Sequence, residues 1–302
     1  MTRTLALALP LFVSCSVGSC QQDAAPPLSL STHVYRVVGM DTLRLDLRQP
    51  AHPRRDCAGL LFVHGGGFQQ GARDTPTASQ FLDSLAQAGI PSASISYRLT
   101  MAGRGFGCDI PTEDKRSAVA SAGADARAAL DWLESSPLLA SHSTGWVIAG
   151  SSAGAETALW SGYVDAPDRW KGVVSYSGAL DAATRPSPAS PPLFALHGTC
   201  DALVPIGSAL HHFCPEDRVG AWPLIGGPAW ADSLRTTGLT TWTWTQCGGG
   251  HGVCNSAMLN PDVQCLLVDW LAGGHAQDRD VCVDQDGAPL PGGRASCPHP
   301  CN

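Results

Sequence analysis

Short apolar runs alternate with segments of helical spacing from about residue 33 to residue 273. Gly59–Val63 and Trp146–Ala149 are strand-like, whereas Thr77–Gly89 and Ser117–Glu134 have the periodicity of helices. Strands that are apolar throughout and separated by helices are typical of a parallel sheet covered on both faces. We therefore predict an α/β fold with a mostly parallel central sheet.

Two stretches interrupt this alternation. Residues 205–235 contain prolines, glycines and Cys214, and we predict a loop-rich excursion there. Residues 274–302 are polar, rich in proline and glycine, and contain three cysteines, so we predict an irregular tail held by disulfides. The main domain is accordingly predicted to span residues 33–273.

The first 20 residues are typical of a secretory signal. Arg3 precedes the apolar stretch Thr4–Val13, which is too short to span a membrane. Cleavage after the small residues Val17-Gly18-Ser19 would release a secreted protein, whereas the same residues before Cys20 resemble a bacterial lipoprotein site, with a lipid anchor on Cys20. Both alternatives predict an extracytoplasmic protein, and residues 21–32 are predicted to be a linker.

The cysteine count supports an oxidising compartment. Ten of the 12 cysteines follow Cys20, and an even number suits complete disulfide pairing. Zinc binding is the alternative, but no two cysteines have the C-x2-C spacing typical of its sites, so we expect no metal. The formal net charge of −7 also argues against an extended nucleic-acid-binding face.

The segment Gly150-Ser151-Ser152-Ala153-Gly154 has the pattern G-x-S-x-G between a predicted strand and a predicted helix. A sharp strand-to-helix turn needs very small neighbours, because the backbone of the central serine is strained and its side chain must project. The start of the helix directs N–H groups towards the hydroxyl, where they stabilise negative charge. Ser152 is therefore the predicted nucleophile.

The segment His64-Gly65-Gly66-Gly67-Phe68 also follows an apolar strand. Consecutive glycines allow backbone N–H groups to approach a ligand closely. Such donors stabilise the oxyanion that forms when a serine attacks an ester carbonyl.

Asp201 and His251 follow two later predicted strands. The chain order Ser152, Asp201, His251 is the order found in one class of catalytic triad. In that arrangement the histidine takes the serine proton and the aspartate orients the imidazole. Asp181, after an earlier strand, is the alternative acid, and we favour Asp201 because its loop fits the chain order.

Five segments together resemble the alpha/beta-hydrolase superfamily: His64–Phe68, Tyr97-Arg98-Leu99, Gly150–Gly154, His197–Pro205 and Gly250-His251. The resemblance covers about residues 58–272. It is nearest to the small carboxylesterases, a group that includes hormone-sensitive-lipase-like, feruloyl and acetyl xylan esterases.

The resemblance implies an oxyanion hole made by the N–H groups of Gly66, Gly67 and Ala153. It implies that His64 supports this loop rather than acting as the base. Phe68 is predicted to contact the substrate.

The chain departs from the hormone-sensitive-lipase-like pattern in two places. Thr100-Met101-Ala102 stands where that group usually has Ala-Pro-Glu, and the segment before the first strand is too short for its N-terminal cap domain. These differences favour a more open pocket.

Three cysteines lie beside the predicted acid and base. Cys200 precedes Asp201, and Cys247 and Cys254 flank His251, so a bridge involving these cysteines is predicted to hold Asp201 and His251 in place. The pair His211-His212 is predicted to be solvated rather than to contact a metal or a substrate.

These expectations combine into a serine carboxylesterase that acts through an acyl-enzyme and needs no cofactor. Its predicted substrate is a short-chain or aromatic carboxylic ester, either a small molecule or linked to a polysaccharide. The alternatives are a serine peptidase of the same fold and a non-catalytic extracellular binding module. The sequence predicts neither the individual ester nor the oligomeric state.

Overall fold

The computed structural model describes residues 28–139 and 144–291, together with Arg294 and Cys297. The predicted signal sequence, including Cys20, and the linker up to residue 27 lie outside the described residues. Among the described helices, none is long and apolar enough to cross a membrane.

A nine-stranded sheet forms the centre of the protein. In spatial order its strands are β1 (Leu28–Val38), β2 (Asp41–Pro50), β4 (Ser92–Ile95), β3 (Gly59–Val63), β5 (Trp146–Ser151), β6 (Gly172–Tyr176), β8 (Leu193–Gly198), β11 (Thr241–Gln246) and β12 (Arg279–Val283). β1 and β2 form an antiparallel pair, and β2 is antiparallel to β4. From β4 to β12 every neighbouring pair is parallel, so the predicted mostly parallel sheet is confirmed.

Helices cover both faces of this sheet. They are α1 (Pro76–Gln87), α2 (Thr112–Ser135), α3 (Ala153–Trp160), α4 (Gly227–Arg235), α5 (Val253–Leu259) and α6 (Pro261–Asp269). The buried side chains of α2, α3 and α4 belong to one hydrophobic cluster, and those of α1, α5 and α6 belong to another. Along β3, Leu61 and Val63 face the first cluster, while Leu60 and Phe62 face the second, because side chains alternate across a strand.

A small second sheet takes two of its strands from the region predicted to be loop-rich. It has three antiparallel strands in the order β7 (Ala179–Asp181), β10 (Pro223–Gly226) and β9 (Ser208–Leu210). Helix α4 follows β10 directly and begins with proline in its first turn, a favourable position for that residue. Residues 205–235, predicted to be a loop-rich excursion, therefore also contain two short strands and a helix, and strands of three or four residues carry too little periodicity to be recognised.

Both predicted boundaries of the main domain fall close to strands of the large sheet. The first strand begins at Leu28, inside the predicted linker, and pairs with β2 as far as Pro50. The last strand, β12, lies in the predicted irregular tail and pairs in parallel with β11. Its first two residues, Arg279 and Asp280, are exposed and charged, so the segment lacks the apolar pattern that predicts a strand.

Candidate active site

Ser152 lies at the sharp turn between β5 and α3. Its φ angle is +53°, in the left-handed region that non-glycine residues rarely adopt. The turn is held by its N–H, which donates to the carbonyl of Tyr176 at 2.9 Å. A Cβ at Gly150 would lie 2.1 Å from the Gly154 oxygen, and one at Gly154 would lie 2.0 Å from the Val63 oxygen. The two glycines of the motif are therefore required by close backbone packing.

A continuous chain of hydrogen bonds joins Ser152, His251 and Asp201. Ser152 Oγ lies 2.8 Å from His251 Nε2, and His251 Nδ1 lies 2.8 Å from Asp201 Oδ2. The side chain of His251 is 22% exposed, whereas that of Asp201 is fully buried. The structure thus brings together three residues separated by 49 and 50 positions in the sequence, as expected for a nucleophile, a base and an orienting acid.

Asp201 is held by more groups than His251 alone. Its Oδ1 accepts hydrogen bonds from the N–H groups of Leu203 and Val204, both at 2.9 Å, and its Oδ2 lies 3.3 Å from His197 Nε2. Burial raises the pKa of Asp201, but the hydrogen bonds from His197, His251 and the Val204 N–H outweigh burial and hold the pKa well below its usual range. The carboxylate is therefore ionised when it faces the imidazole.

The loops that carry the acid and the base are tied to each other. The N–H of Cys200 donates to the carbonyl of Gly249 at 2.8 Å, and the N–H of Gly248 donates to Thr199 Oγ1 at 2.8 Å. These loops leave the neighbouring parallel strands β8 and β11 at the same end of the sheet. Their mutual bonds fix the separation of Asp201 and His251.

The glycine loop after β3 lies against the nucleophile turn. A Cβ at Gly65 would lie 2.9 Å from the carbonyl of Ser151 and 3.2 Å from Ser152 Cβ. Gly66 and Gly67 have φ angles of +118° and +63°, which residues other than glycine rarely adopt. These glycines bring backbone without side chains next to the Ser152 hydroxyl, which is the predicted nucleophile.

The three N–H groups predicted to form an oxyanion hole are those of Gly66, Gly67 and Ala153. Ala153 is the first residue of α3, so its N–H has no acceptor within the helix. No hydrogen bond to another described residue is donated by the N–H of Gly66 or Gly67. All three residues line the same cavity as Ser152, so their donors are available to a ligand there.

His64 and Tyr97 support this loop. Burial lowers the pKa of His64, and its Nδ1 lies 2.7 Å from the Gly65 oxygen. The Tyr97 hydroxyl donates to the His64 carbonyl at 2.9 Å, and the two rings stack at 4.4 Å. Arg98, the next residue, bonds to the buried Asp125 at 2.9 Å. His64 thus has the supporting position that the resemblance implies.

A cavity of about 660 Å³ opens at Ser152 and His251. Phe68 does not line it: the side chain is fully buried and packs against Tyr97 and Phe106. The predicted contact between Phe68 and a substrate is therefore wrong. Phe68 itself has a φ angle of +58°, in the left-handed region.

Sequence reasoning missed the polar wall of this cavity, which is formed by Glu156, His211 and His212. His211 is fully buried, so the prediction that this histidine pair is solvated is wrong. Glu156 lies on α3, four residues after Ser152, and its N–H donates to the Ser152 carbonyl at 3.0 Å. That spacing was the one available sequence signal, whereas the histidines reach the site through tertiary packing.

The alternative acid, Asp181, has other partners. It accepts hydrogen bonds from Arg116 and from Trp222 Nε1, both at 2.9 Å. It lines a separate cavity of about 570 Å³ with those two residues. The structure therefore brings Asp201, and not Asp181, to His251.

Two of the three cysteines beside the acid and the base are disulfide-bonded. Cys108 pairs with Cys214, Cys247 pairs with Cys297, and Cys200 is also disulfide-bonded. Cys254 is buried outside any disulfide, and burial raises the pKa of its thiol to about 12. A bridge involving Cys254 is thus wrong, whereas the bridge from Cys247 joins the base loop to the tail.

One cluster of cysteines has the proximity of metal ligands. The sulfur atoms of Cys247, Cys282 and Cys297 lie within 4.8 Å of one another. Two of these sulfurs form a disulfide and so lack the thiolate form that binds a metal.

No protein-family model matches the chain, and no curated protein sequence matches it either. Solved structures do resemble it. Brefeldin A esterase, described as a bacterial homologue of human hormone-sensitive lipase, is 17% identical with a TM-score of 0.54 over 90% of this chain and 80% of that one. Esterase 2 of Thermogutta terrifontis, phosphorylated by paraoxon, is 19% identical with a TM-score of 0.55 over 80% and 91%.

An alpha/beta hydrolase enzyme from a Medee basin deep-sea metagenome library is also similar, with 15% identity and a TM-score of 0.56 over 82% of this chain and 98% of that one. At this level of identity the likeness concerns the fold. The chain has the alpha/beta-hydrolase fold that its motifs predict.

Proposed function

We propose that the protein is a serine carboxylesterase that hydrolyses short-chain or aromatic carboxylic esters through an acyl-enzyme. The observation that carries this proposal is the unbroken hydrogen-bond chain from Ser152 through His251 to Asp201, at 2.8 Å in both steps. The esterases with similar folds support the proposal, because this fold positions such a triad in that class of enzyme.

Acylation begins when the Ser152 hydroxyl attacks the ester carbonyl carbon. His251 Nε2 takes the hydroxyl proton as the Oγ–C bond forms, and Asp201 stabilises the resulting imidazolium through Nδ1–H. The carbonyl oxygen gains the negative charge and accepts hydrogen bonds from the N–H groups of the oxyanion hole. The tetrahedral intermediate collapses, the C–O bond to the alcohol breaks, and the alcohol oxygen receives the proton from His251.

Deacylation repeats these steps with water as the nucleophile. His251 takes a proton from water as the hydroxide oxygen bonds to the acyl carbon. The second tetrahedral intermediate collapses, the bond to Ser152 Oγ breaks, and His251 returns the proton to that oxygen. The products are the free carboxylic acid and the regenerated enzyme.

The cavity favours a small acyl group. Glu156 and His211 line it, and each has a buried polar atom without a hydrogen-bond partner among the described residues, which an alkyl chain cannot supply. We therefore expect activity to fall as the acyl chain lengthens from acetate to palmitate.

The decisive experiment is hydrolysis of a series of p-nitrophenyl esters by the wild type and the Ser152→Ala variant. We expect short esters to be preferred and the variant to retain at most about a thousandth of the wild-type kcat. Equal rates for both proteins, with equal Tm values, would contradict the proposal. Cleavage of peptides but not esters would favour the peptidase, and no hydrolysis by a folded wild type would favour the binding module.

Paraoxon provides a second test, independent of the choice of ester. It phosphorylated the esterase 2 of Thermogutta terrifontis. We expect intact-mass analysis to show one diethylphosphoryl group added to the wild type, located on Ser152 by peptide mapping. The Ser152→Ala variant should remain unmodified.

We also propose that the protein acts outside the cytoplasm. The disulfides Cys108–Cys214 and Cys247–Cys297 support this, because such bonds persist in oxidising compartments. Expression of the full chain in bacteria, followed by fractionation and lipid labelling, tests the anchor at Cys20. Loss of the label in Cys20→Ala would support the lipoprotein alternative, and an unlabelled wild type in the medium would support plain secretion.

A further inference from the structure

Two buried polar atoms in the active-site cavity have no hydrogen-bond partner among the described residues. Glu156 is 3% exposed, and its Oε2 makes no hydrogen bond. His211 is 0% exposed, and its Nε2 makes none. Both residues line the cavity that contains Ser152. Buried polar atoms are nearly always paired, so unpaired ones in a cavity indicate a group that arrives with a ligand.

The hydrogen-bonding role of His211 Nε2 follows from its other neighbour. Lys115 Nζ lies 3.0 Å from His211 Nδ1 and 2.9 Å from the Gly220 carbonyl. Burial lowers the pKa of Lys115 to about 8, so near neutral pH it remains an ammonium, which can only donate. His211 Nδ1 is therefore the acceptor, and Nε2 carries the proton and is the unpaired donor of this cavity-lining residue.

The position of Glu156 places its carboxyl group close to the reacting centre. Its N–H donates to the Ser152 carbonyl at 3.0 Å. Glu156 and Ser152 line the same cavity, which also has to hold an acyl group on Ser152. Burial raises the pKa of Glu156 to about 8. Its oxygens can accept a hydrogen bond in either protonation state.

We propose that Glu156 and His211 form a subsite that binds a hydroxyl group of the substrate ester. A hydroxyl accepts one hydrogen bond and donates another, so it can accept from His211 Nε2–H and donate to Glu156 Oε2. A methyl group in the same place would leave both atoms unpaired. A site built to hydrogen-bond a substrate hydroxyl therefore discriminates strongly against an analogue that lacks it. This inference rests on the proposed esterase function and names its substrate class as hydroxylated carboxylic esters.

The surrounding contacts hold the imidazole of His211 in a defined orientation. The ring of His212 stacks on it at 3.8 Å, and the ring of Phe106 meets it edge-on at 4.9 Å. The disulfide Cys108–Cys214 joins the segments that carry these rings. A donor fixed in this way loses little conformational entropy on binding, as expected of a preorganised specificity site.

The hydroxyl can belong to either side of the ester, and two matched substrate pairs distinguish the sources. For the acyl side, p-nitrophenyl 3-hydroxybutyrate is compared with p-nitrophenyl 3-methylbutyrate. For the alcohol side, 2-hydroxyethyl butyrate is compared with propyl butyrate. Each pair differs by a hydroxyl in place of a methyl group of similar size, so the ratio of kcat/KM values measures recognition of the hydroxyl.

We expect wild type to prefer the hydroxylated member of at least one pair by about tenfold or more, the value of one buried hydrogen bond. Glu156→Leu and His211→Phe should each reduce that ratio to about one, chiefly by lowering kcat/KM for the hydroxylated ester. Glu156→Gln should retain a preference, because its amide still accepts and donates. Glu216→Leu, an exposed position elsewhere, is the control and should keep the wild-type ratio.

Two outcomes would overturn the subsite while leaving the esterase intact. One is a ratio near unity in both pairs for a wild type that hydrolyses plain esters. The other is an equal loss on both members of a pair in Glu156→Leu, with Glu156→Gln no better, which is the result expected of a purely structural glutamate. Absence of hydrolysis of every ester would instead overturn the esterase proposal itself. Tm values of all variants establish that the comparison concerns folded protein.

Discussion

Replacing Asp201 with asparagine would exchange one oxygen for an NH2 group while preserving the shape of the side chain. The oxygen that accepts the N–H groups of Leu203 and Val204 at 2.9 Å can keep both bonds. The NH2 group then faces His251 Nδ1, which lies 2.8 Å from the present Oδ2. Because NH2 cannot accept a hydrogen bond, the imidazole must present a lone pair at Nδ1 and carry its proton on Nε2, facing Ser152.

In this tautomer His251 cannot take the serine proton. The corresponding loss in a serine triad is about 10⁴ in kcat. At 1.36 kcal/mol for each factor of ten, this corresponds to about 5.4 kcal/mol of lost transition-state stabilisation. The remaining activity would come from the oxyanion hole and from substrate binding, which the substitution does not touch.

The assay is the initial rate of p-nitrophenyl acetate hydrolysis, with Tm measured on the same samples. Asp181→Asn is the matched control, because Asp181 bonds to Arg116 and Trp222 rather than to His251. We expect the control to keep its activity and to lose some stability. The reasoning is refuted if Asp201→Asn retains more than about a tenth of the wild-type kcat, or if Asp181→Asn shows the larger loss.

The remaining predictions concern stability. Gly154→Ala would place a methyl group 2.0 Å from a carbonyl oxygen of β3, so we expect a loss of about 1–3 kcal/mol in the free energy of unfolding and reduced activity. The Cys297→Ser variant removes the disulfide partner of Cys247. The Cys282 sulfur lies 3.1 Å from the Cys247 sulfur, so we expect a Cys247–Cys282 disulfide to form during oxidative folding and to be detected by peptide mapping. For Glu156→Gln, the Tm of the variant minus the Tm of the wild type should increase as the pH rises from 5 to 8. The folded wild type keeps a proton that the unfolded chain releases above its ordinary pKa of 4.5, so wild-type stability falls as the pH rises towards the folded pKa of about 8.

Each of these predictions has a control or a contrary outcome. Gly207→Ala adds a methyl group with nothing within 4 Å and should leave the Tm unchanged, so equal losses in both glycine variants would contradict the steric explanation. Cys254→Ser removes a buried thiol outside any disulfide, and it should leave the pairing of the other cysteines as in wild type. A Tm difference for Glu156→Gln that stays constant with pH would show that the buried carboxyl does not titrate as described.

The strands and helices that shape the site were readable from the sequence because each has a clear local pattern. β3 and β5 are short apolar runs that end in glycines, and α1 and α2 have regular helical spacing. The position of Ser152, Asp201 and His251 after separate strands also indicated their meeting, since parallel strands end at the same side of a sheet. The structure brings the three residues into hydrogen-bond contact.

What the sequence did not indicate depends on contacts between distant segments. His211 acquires its buried position through Lys115, 96 residues away, and no local pattern encodes that pairing. The short strands of the small sheet gain their hydrogen bonds only when β10 lies between β7 and β9. Phe68 was misjudged because its direction depends on a left-handed backbone conformation, and residue type alone does not reveal φ.

The short strand β12 has a consequence for how the protein behaves when it is shortened. It pairs with β11 from Trp242 to Gln246, and so occupies backbone hydrogen-bonding groups of a strand that contains two tryptophans. Removing residues from Arg279 onward would leave those groups unpaired on a strand rich in β-forming residues. An exposed strand of this kind is a template for association between molecules. The charged Arg279 and Asp280 therefore begin a segment that protects the sheet against aggregation.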